Sequence, residues 1–270
     1  MAVRLSPKQR QIREREAGIL FAARSILLSD GYYGLTMERI AAGSNCPKGT
    51  IYQHFACKED VVLTLAVASL NLRFEILRRG AEFEGHARER MVGVGEGAVL
   101  FTRMHPEDAQ IIYMARGSIR EKASLACVRE AVRVEHQMAE LLRGILSDGV
   151  KQGDLELGAS LSIEQMAFAF WALADGGIAL SMEGGPQHAL GMNNPYHDLW
   201  LAFNWLADGY GWRPLFSEWD WEETLAQVRR AVFREETAQV YGEGAWYGDA
   251  GPTHPRLTQY WAGNPSLSRP

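Results

Sequence analysis

The sequence predicts an all-α protein in two parts, an N-terminal three-helix domain built on a helix-turn-helix and a larger helical body. Three observations lead there. Apolar residues recur at spacings of three, four and seven along most of the 270 residues. No strand-like alternation of useful length interrupts them. Helix starts and stops crowd into residues 36–58, where two short helices flank a tight turn.

Taken in order, residues 12–29 place Ile12, Ile19, Ala23, Ile26 and Leu27 on one stripe, and Ser29-Asp30-Gly31 is a stop signal. Thr36 suits the N-cap of a second helix with Met37, Ile40 and Ala41 on one face. Ser44-Asn45 ends it, since asparagine tolerates the left-handed backbone of a tight turn. Pro47 opens a third short helix reaching Phe55, at the position where proline's missing N–H is harmless. A fourth runs from Lys58 through Val62, Leu65, Leu72, Phe74 and Ile76 to about Gly80. Further helices are predicted over 86–104, 106–118, 120–152, 162–183, 195–210 and 217–240, punctuated by Pro106, Gly153, Gly184-Gly185-Pro186, Pro195 and Pro214. Ser162 with Gln165, and Asp220 with Glu223, have capping-box spacing. The domains expected are therefore a basic arm and helix-turn-helix over 1–57, a connecting helix over 58–80, a helical body over 81–240 and a tail over 241–270. That tail holds Tyr241, Trp246, Tyr247, Tyr260 and Trp261, too aromatic for a plain linker, and is expected to lie on the folded body.

Composition excludes several classes. With 47% hydrophobic and 23% charged residues the chain has the ordinary globular balance, unlike long disorder or a collagen-like chain. No segment reaches the ~18 uncharged apolar residues of a membrane span. The nearest, Leu161 to Met182, contains Glu164, Gln165 and Asp175. The N-terminus lacks the apolar core of a secretory signal. Cys46, Cys57 and Cys127 make no CxxC pair, and their odd number fits a reduced, cytoplasmic compartment.

The net charge of -5 is uneven. Residues 1–79 carry 12 Lys and Arg against 7 Asp and Glu, while the remainder is acidic. Charge alone fits a polyanionic partner for the first part or a merely solvated surface equally well. Arg4, Lys8, Arg10, Arg13 and Arg15 read as a flexible basic arm.

The third helix carries the chemistry. In Pro47-Lys48-Gly49-Thr50-Ile51-Tyr52-Gln53-His54-Phe55, Ile51 and Phe55 are four apart and face a small core. Lys48 and Gln53 can then bond base edges, and the Thr50 methyl can meet a thymine methyl. Gly49 lets the backbone approach a duplex closely. Tyr52, Thr36 and Lys58 can reach phosphates, which position the protein without reading sequence.

The stretch TMERIAAGSNCPKGTIYQHFACKEDVV resembles the helix-turn-helix of the tetracycline-repressor (TetR) family of bacterial transcription regulators. The resemblance rests on Thr36, Ile40-Ala41, Gly49-Thr50-Ile51-Tyr52, His54-Phe55 and Lys58-Glu59, and covers about residues 12–65. It departs from the pattern at Asn45, Cys46 and Pro47; Pro47 replaces a serine hydroxyl that could bond phosphate. The resemblance implies an all-helical homodimer and DNA contacts from Thr36, Lys48, Gly49, Thr50, Tyr52, His54 and Lys58. It also implies a body that binds a small-molecule effector.

Helices 162–183 and 195–210 are apolar around most of their circumference and are expected to bury one side on the body and the other on a partner subunit. The effector would be apolar or amphipathic, with Phe101, Met104, Tyr113, Met114, Phe168 and Trp171 as lining candidates and His105, Arg116 and His136 as polar anchors. Enzyme motifs are missing. Glu107-Asp108, Glu222-Glu223 and Glu235-Glu236 are helix neighbours that cannot face one point and read as solvated charges. His188, His197 and Asp198 have no metal-ligand spacing. The expectation is a ligand-responsive repressor, dimeric on a pseudo-palindromic double-stranded DNA operator, with no cofactor, no metal and no catalytic residue. The competing class is an architectural DNA-binding protein without an effector.

Overall fold

Ser6 sets the start of the first helix. In the computed structural model, which describes residues 6–158, 161–183, 187 and 189–247, its hydroxyl accepts from Gln9 N–H while the Gln9 side chain accepts from Ser6 N–H. With Pro7 at the first helical position, this capping box carries α1 from Pro7 to Gly34. Lys8, Arg10, Arg13 and Arg15 therefore lie on an exposed helix, which corrects the flexible arm expected there; Arg4 lies outside the described residues. The stop signal at Gly31 is real but local: its φ of 69° breaks helical geometry, and one more turn follows.

Next come α2 (Met37–Ser44), α3 (Lys48–His54), α4 (Lys58–Ala81), α5 (Ala87–Met104), α6 (Pro106–Met114), α7 (Ser118–Lys122) and α8 (Leu125–Gln152). Then follow α9 (Ile163–Glu183), α10 (Pro195–Gly209), a 3-10 turn at Phe216–Glu218, α11 (Trp221–Ala231) and α12 (Arg234–Tyr241). No strand occurs among the described residues, and no helix there is long and apolar enough to cross a membrane.

Two predicted helices are split. The 120–152 helix breaks at Ala123-Ser124, where the buried Asp60 carboxylate accepts Ser124 N–H at 2.6 Å and caps α8. The 217–240 helix breaks at Val232-Phe233 to bury the Phe233 ring completely. Ser162 and Gln165 form the expected reciprocal cap. Asp220 caps Glu223 N–H at 2.9 Å, but the Glu223 carboxylate turns to Gln227 and Arg230.

The chain divides into two compact units. One comprises Met1–Leu72 and His105–His136. Its core joins Ile19, Ala23 and Leu27 of α1 to Ile40, Ile51, Phe55 and Val62, and to Ile111, Ala115 and Ile119. Ile12, predicted on the same stripe, is 42% exposed and stands outside this core. The unit also corrects the reading of Asp108 as solvated, whereas Glu107 is exposed as expected. Arg24 bonds both Asp108 oxygens at 2.9 and 3.1 Å and Glu107 at 3.0 Å, and Ser69 adds a hydroxyl to Asp108 at 2.7 Å.

The other unit comprises Arg73–Met104 and Gln137–Pro270. The end of α4 crosses α5 at Gly80 and Gly93, so closely that a Cβ on either would lie within 2.2 Å of the other's carbonyl oxygen. Phe170 centres an aromatic core, with ring centroids 4.6 Å from Phe203 and 5.8 Å from Trp212. Glu236, another carboxylate read as solvated, is paired with Arg79.

Candidate nucleic-acid interface

The turn before α3 is made by Asn45, whose φ of 53° and ψ of 34° are left-handed. Pro47 occupies the cap with no side-chain hydrogen bond, and its carbonyl instead accepts from Thr50 N–H at 2.8 Å. On α3, Ile51 and Phe55 are buried, as their spacing predicts. Lys48, Gly49, Tyr52 and Gln53 are exposed and Thr50 is half-buried. Lys48 pairs with Glu38 of α2 and lies 5.8 Å from the Tyr52 ring centroid. Its partner is itself exposed, so a phosphate or base can displace it at little cost.

Gly49 is the informative position. A Cβ there would meet nothing within 4 Å. Glycine disfavours a helix by up to ~1 kcal/mol relative to alanine, and nothing inside the protein requires it here. Without a side chain, its exposed backbone is open to approach from outside.

The remaining candidates have internal partners. Thr36 accepts from Arg39 N–H at 3.2 Å, which leaves its hydroxyl proton to donate. His54 is half-buried, its Nδ1 3.9 Å from Glu16. Lys58 donates to the carbonyls of Tyr32 and Leu35, both at 3.1 Å, and lies 4.0 Å from the Tyr32 ring centroid. An ammonium has three donors, so one remains for an external acceptor. Tyr32 donates to Glu59 at 2.5 Å; burial and that carboxylate push its phenol up to about 12.

The C-terminal unit holds an apolar cavity of about 50 Å³. Its walls come from Leu77 of α4, Met91, Val94 and Ala98 of α5, Met138 and Leu142 of α8, Phe170 and Trp171 of α9, and Phe203 of α10, with Arg73 as the charged member. Trp171 is the predicted ligand residue that lines it. Phe101 is fully packed in the same unit's core, Met104 is half-buried at the end of α5, and Phe168 is 74% exposed. His105, Tyr113, Met114, Arg116 and His136 belong to the N-terminal unit. There Met114 packs on the core, Arg116 lies over the Tyr113 ring at 4.4 Å, and His136 is exposed.

Sequence reasoning missed Arg73. The signal was present: Val61 to Leu72 is an uncharged run, and Arg73 ends it inside a helix. It also missed Arg88, whose buried guanidinium bonds the carbonyls of Asn204, Trp212 and Pro214 and pairs with Asp208 at 2.8 Å.

Residues 19–65 match the family model described as bacterial regulatory proteins, tetR family. The chain is 22% identical over 163 residues to the fatty acid metabolism regulator protein of Bacillus subtilis (strain 168), covering 59% of this chain and 80% of that protein. Among solved structures it resembles a tetR-family regulatory protein from Rhodococcus RHA1, with a TM-score of 0.56 and 18% identity over 74% of this chain and 98% of that one. FadR from Bacillus subtilis, solved in complex with stearoyl-CoA, gives 0.55 and 17% over 72% and 98%. The ketosteroid transcriptional regulator KstR2 of Mycobacterium tuberculosis gives 0.51 and 19% over 72% and 94%. At these identities the structural likeness is one of fold.

Proposed function

We propose that the chain is a member of the tetR family of bacterial regulatory proteins, whose model its residues 19–65 match, and that it is a repressor released from its operator by an apolar or amphipathic small molecule. The observation that carries the DNA reading is the outer face of α3. Lys48, Tyr52 and Gln53 surround an exposed helical glycine whose backbone is open to close approach by an external partner. Lys48 and Gln53 read base edges, while Thr36, Tyr52 and the third donor of Lys58 hold phosphates.

The repressor works as a homodimer on a pseudo-palindrome, with recognition helices about 34–36 Å apart. Phe168 on α9 and Trp205 on α10 support this, since both large rings are exposed on helices that pack against each other. The effector reading is supported by the apolar cavity and by relatives that include a regulator solved with stearoyl-CoA and a ketosteroid regulator. Effector coupling of this kind amounts to ~1–3 kcal/mol, and operator DNA must weaken effector binding by the same factor.

Fluorescence anisotropy on the DNA upstream of the protein's own gene, at several salt concentrations and beside a scrambled duplex, tests the reading. The native protein selects the upstream duplex, and Tyr52→Ala weakens binding by roughly tenfold, the scale of one lost contact. Equal, weak binding to both duplexes by native and variant protein alike refutes sequence-specific recognition there.

A further inference from the structure

Arg73 is out of place as a structural residue. It is 8% exposed on a helix whose neighbouring positions are apolar, and it lines an otherwise apolar cavity. Its Nε is buried and has no hydrogen-bond partner. The nearest carboxylate, Asp175, stands 3.6 Å from Nη1, within reach of charge attraction but beyond a hydrogen bond. Nη1 and Nε lie on opposite sides of a guanidinium. The Nε edge, which with Nη2 forms the fork that grips a carboxylate with two parallel hydrogen bonds, is therefore the side that Asp175 does not occupy. An arginine remains protonated in a protein and cannot shed its charge to suit an apolar site.

The walls around this charge decide the rest of the ligand. Met91, Met138, Leu77 and Leu142 are flexible side chains that change rotamer readily, whereas Phe170 is a rigid ring packed in the core. A cavity of about 50 Å³ is well short of the ~300 Å³ at the lower end of ligand pockets. The guest that opens such a seam with least displacement is slender and unbranched. A fused ring system would have to move α5, α8 and α9 apart.

Resting on the effector reading above, we propose that the effector is an aliphatic carboxylic acid. Its carboxylate takes the Nε edge of Arg73 and its chain parts the methionine and leucine side chains of the cavity. A ligand carboxylate completes the coordination that Asp175 begins, and one buried cation then stands between two anions. A fatty alcohol of equal length fills the same seam but leaves Nε unmet.

Isothermal calorimetry on the full chain without DNA tests this. Decanoate, decan-1-ol and decanoyl-coenzyme A are titrated into the native protein, Arg73→Met and Arg73→Lys. The expected result is that decanoate binds the native protein at least tenfold more tightly than decan-1-ol does. Arg73→Met abolishes that preference while still binding decan-1-ol, which shows that its cavity is intact. Arg73→Lys keeps the charge but loses the fork, and falls between. Equal affinity of acid and alcohol for the native protein overturns the proposal, as does decanoate affinity that is indifferent to Arg73→Met. Tight binding of decanoyl-coenzyme A without binding of decanoate overturns it too. Because the readout involves no DNA, failure here leaves operator recognition standing, and loss of operator recognition leaves this discrimination measurable.

Discussion

The two units use charged residues in opposite ways. Among the described residues of the N-terminal unit, Asp60 is the one buried charged residue, and it caps α8. Its arginines and lysines lie at or near the surface, where a polyanion can reach them. The C-terminal unit buries Arg73, Arg88, Arg229 and Glu96. The difference teaches that the basic half of the sequence is basic on its surface, whereas several of the body's cations are internal. Net charge by segment therefore measures the first unit's outer field and understates the acidity of the second unit's surface.

The largest effect that this comparison predicts lies in the second unit. Arg229 donates to Glu96 at 2.7 Å, with side chains 3% and 0% exposed, and the guanidinium lies 4.4 Å from the Tyr241 ring centroid. Removing one member of such a pair leaves a buried charge uncompensated and costs ~3–5 kcal/mol. All eight tryptophans fall at or after Trp171, and those among the described residues lie in the C-terminal unit. Tryptophan fluorescence thus reports that unit alone. Arg229→Met is expected to lower its urea midpoint by that free energy divided by the m-value of the transition, leaving the N-terminal helices as the more resistant fraction in far-ultraviolet circular dichroism. An unchanged fluorescence midpoint would show that Glu96 does not stay buried as an uncompensated charge when Arg229 is removed.

The same contrast explains what the sequence made legible. The recognition helix was readable because its residues follow one another along a single short helix, so order alone places them on one face. Ile51 and Phe55 went inward and Lys48, Gly49, Tyr52 and Gln53 outward, as the spacing predicts. The cavity was not readable, since its walls come from five helices and each contributes residues of ordinary core type. Phe168 illustrates the limit: along α9 its aromatic character looks identical to that of Phe170, yet one is exposed and the other is the centre of the core. Helix ends were legible where a side chain caps locally, as at Ser162 and Asp220. At α8 the local cap from Ser124 to Cys127 N–H is long, and the distant Asp60, which accepts Ser124 N–H, was not legible. Lys58 was read as a phosphate ligand from its type, and only the structure shows two of its donors taken by the end of α1.

Gly49 offers a sharper test of the surface side of the comparison, with a smaller effect. Gly49→Ala adds a methyl that touches nothing in the protein and improves helix propensity by no more than ~1 kcal/mol at so early a position in α3. The N-terminal unit should therefore become slightly more stable. On the proposed recognition mode operator affinity should fall by the ~1–3 kcal/mol of one lost contact, because the methyl would stand between the backbone and the duplex. Opposite signs in thermal midpoint and anisotropy are the signature. A variant that is more stable and binds equally well would assign the glycine no role in recognition.

The smallest effect concerns the half-buried charges of the N-terminal unit. Burial alone would raise the Asp108 carboxyl, but hydrogen bonds from Arg24 and Ser69 outweigh it and hold the group below its ordinary value. A carboxyl depressed in the folded state stabilises the fold above its unfolded value, ~4 for aspartate, and loses that contribution as pH falls through the folded value. Asp108→Asn should therefore cost stability at pH 7, by no more than ~1 kcal/mol given that Arg24 remains partly exposed. The gap from the native protein should close as the pH drops below ~4. Circular dichroism urea midpoints across that range measure it, and 1 M salt should narrow the neutral-pH gap through screening. A gap independent of both pH and salt would mean that Asp108 acts through the shape of its hydrogen bonds rather than its charge. The N-terminal unit would then hold its helices together by apolar contacts and hydrogen-bond geometry without a net contribution from charge, in contrast to the buried ion pair of the C-terminal unit.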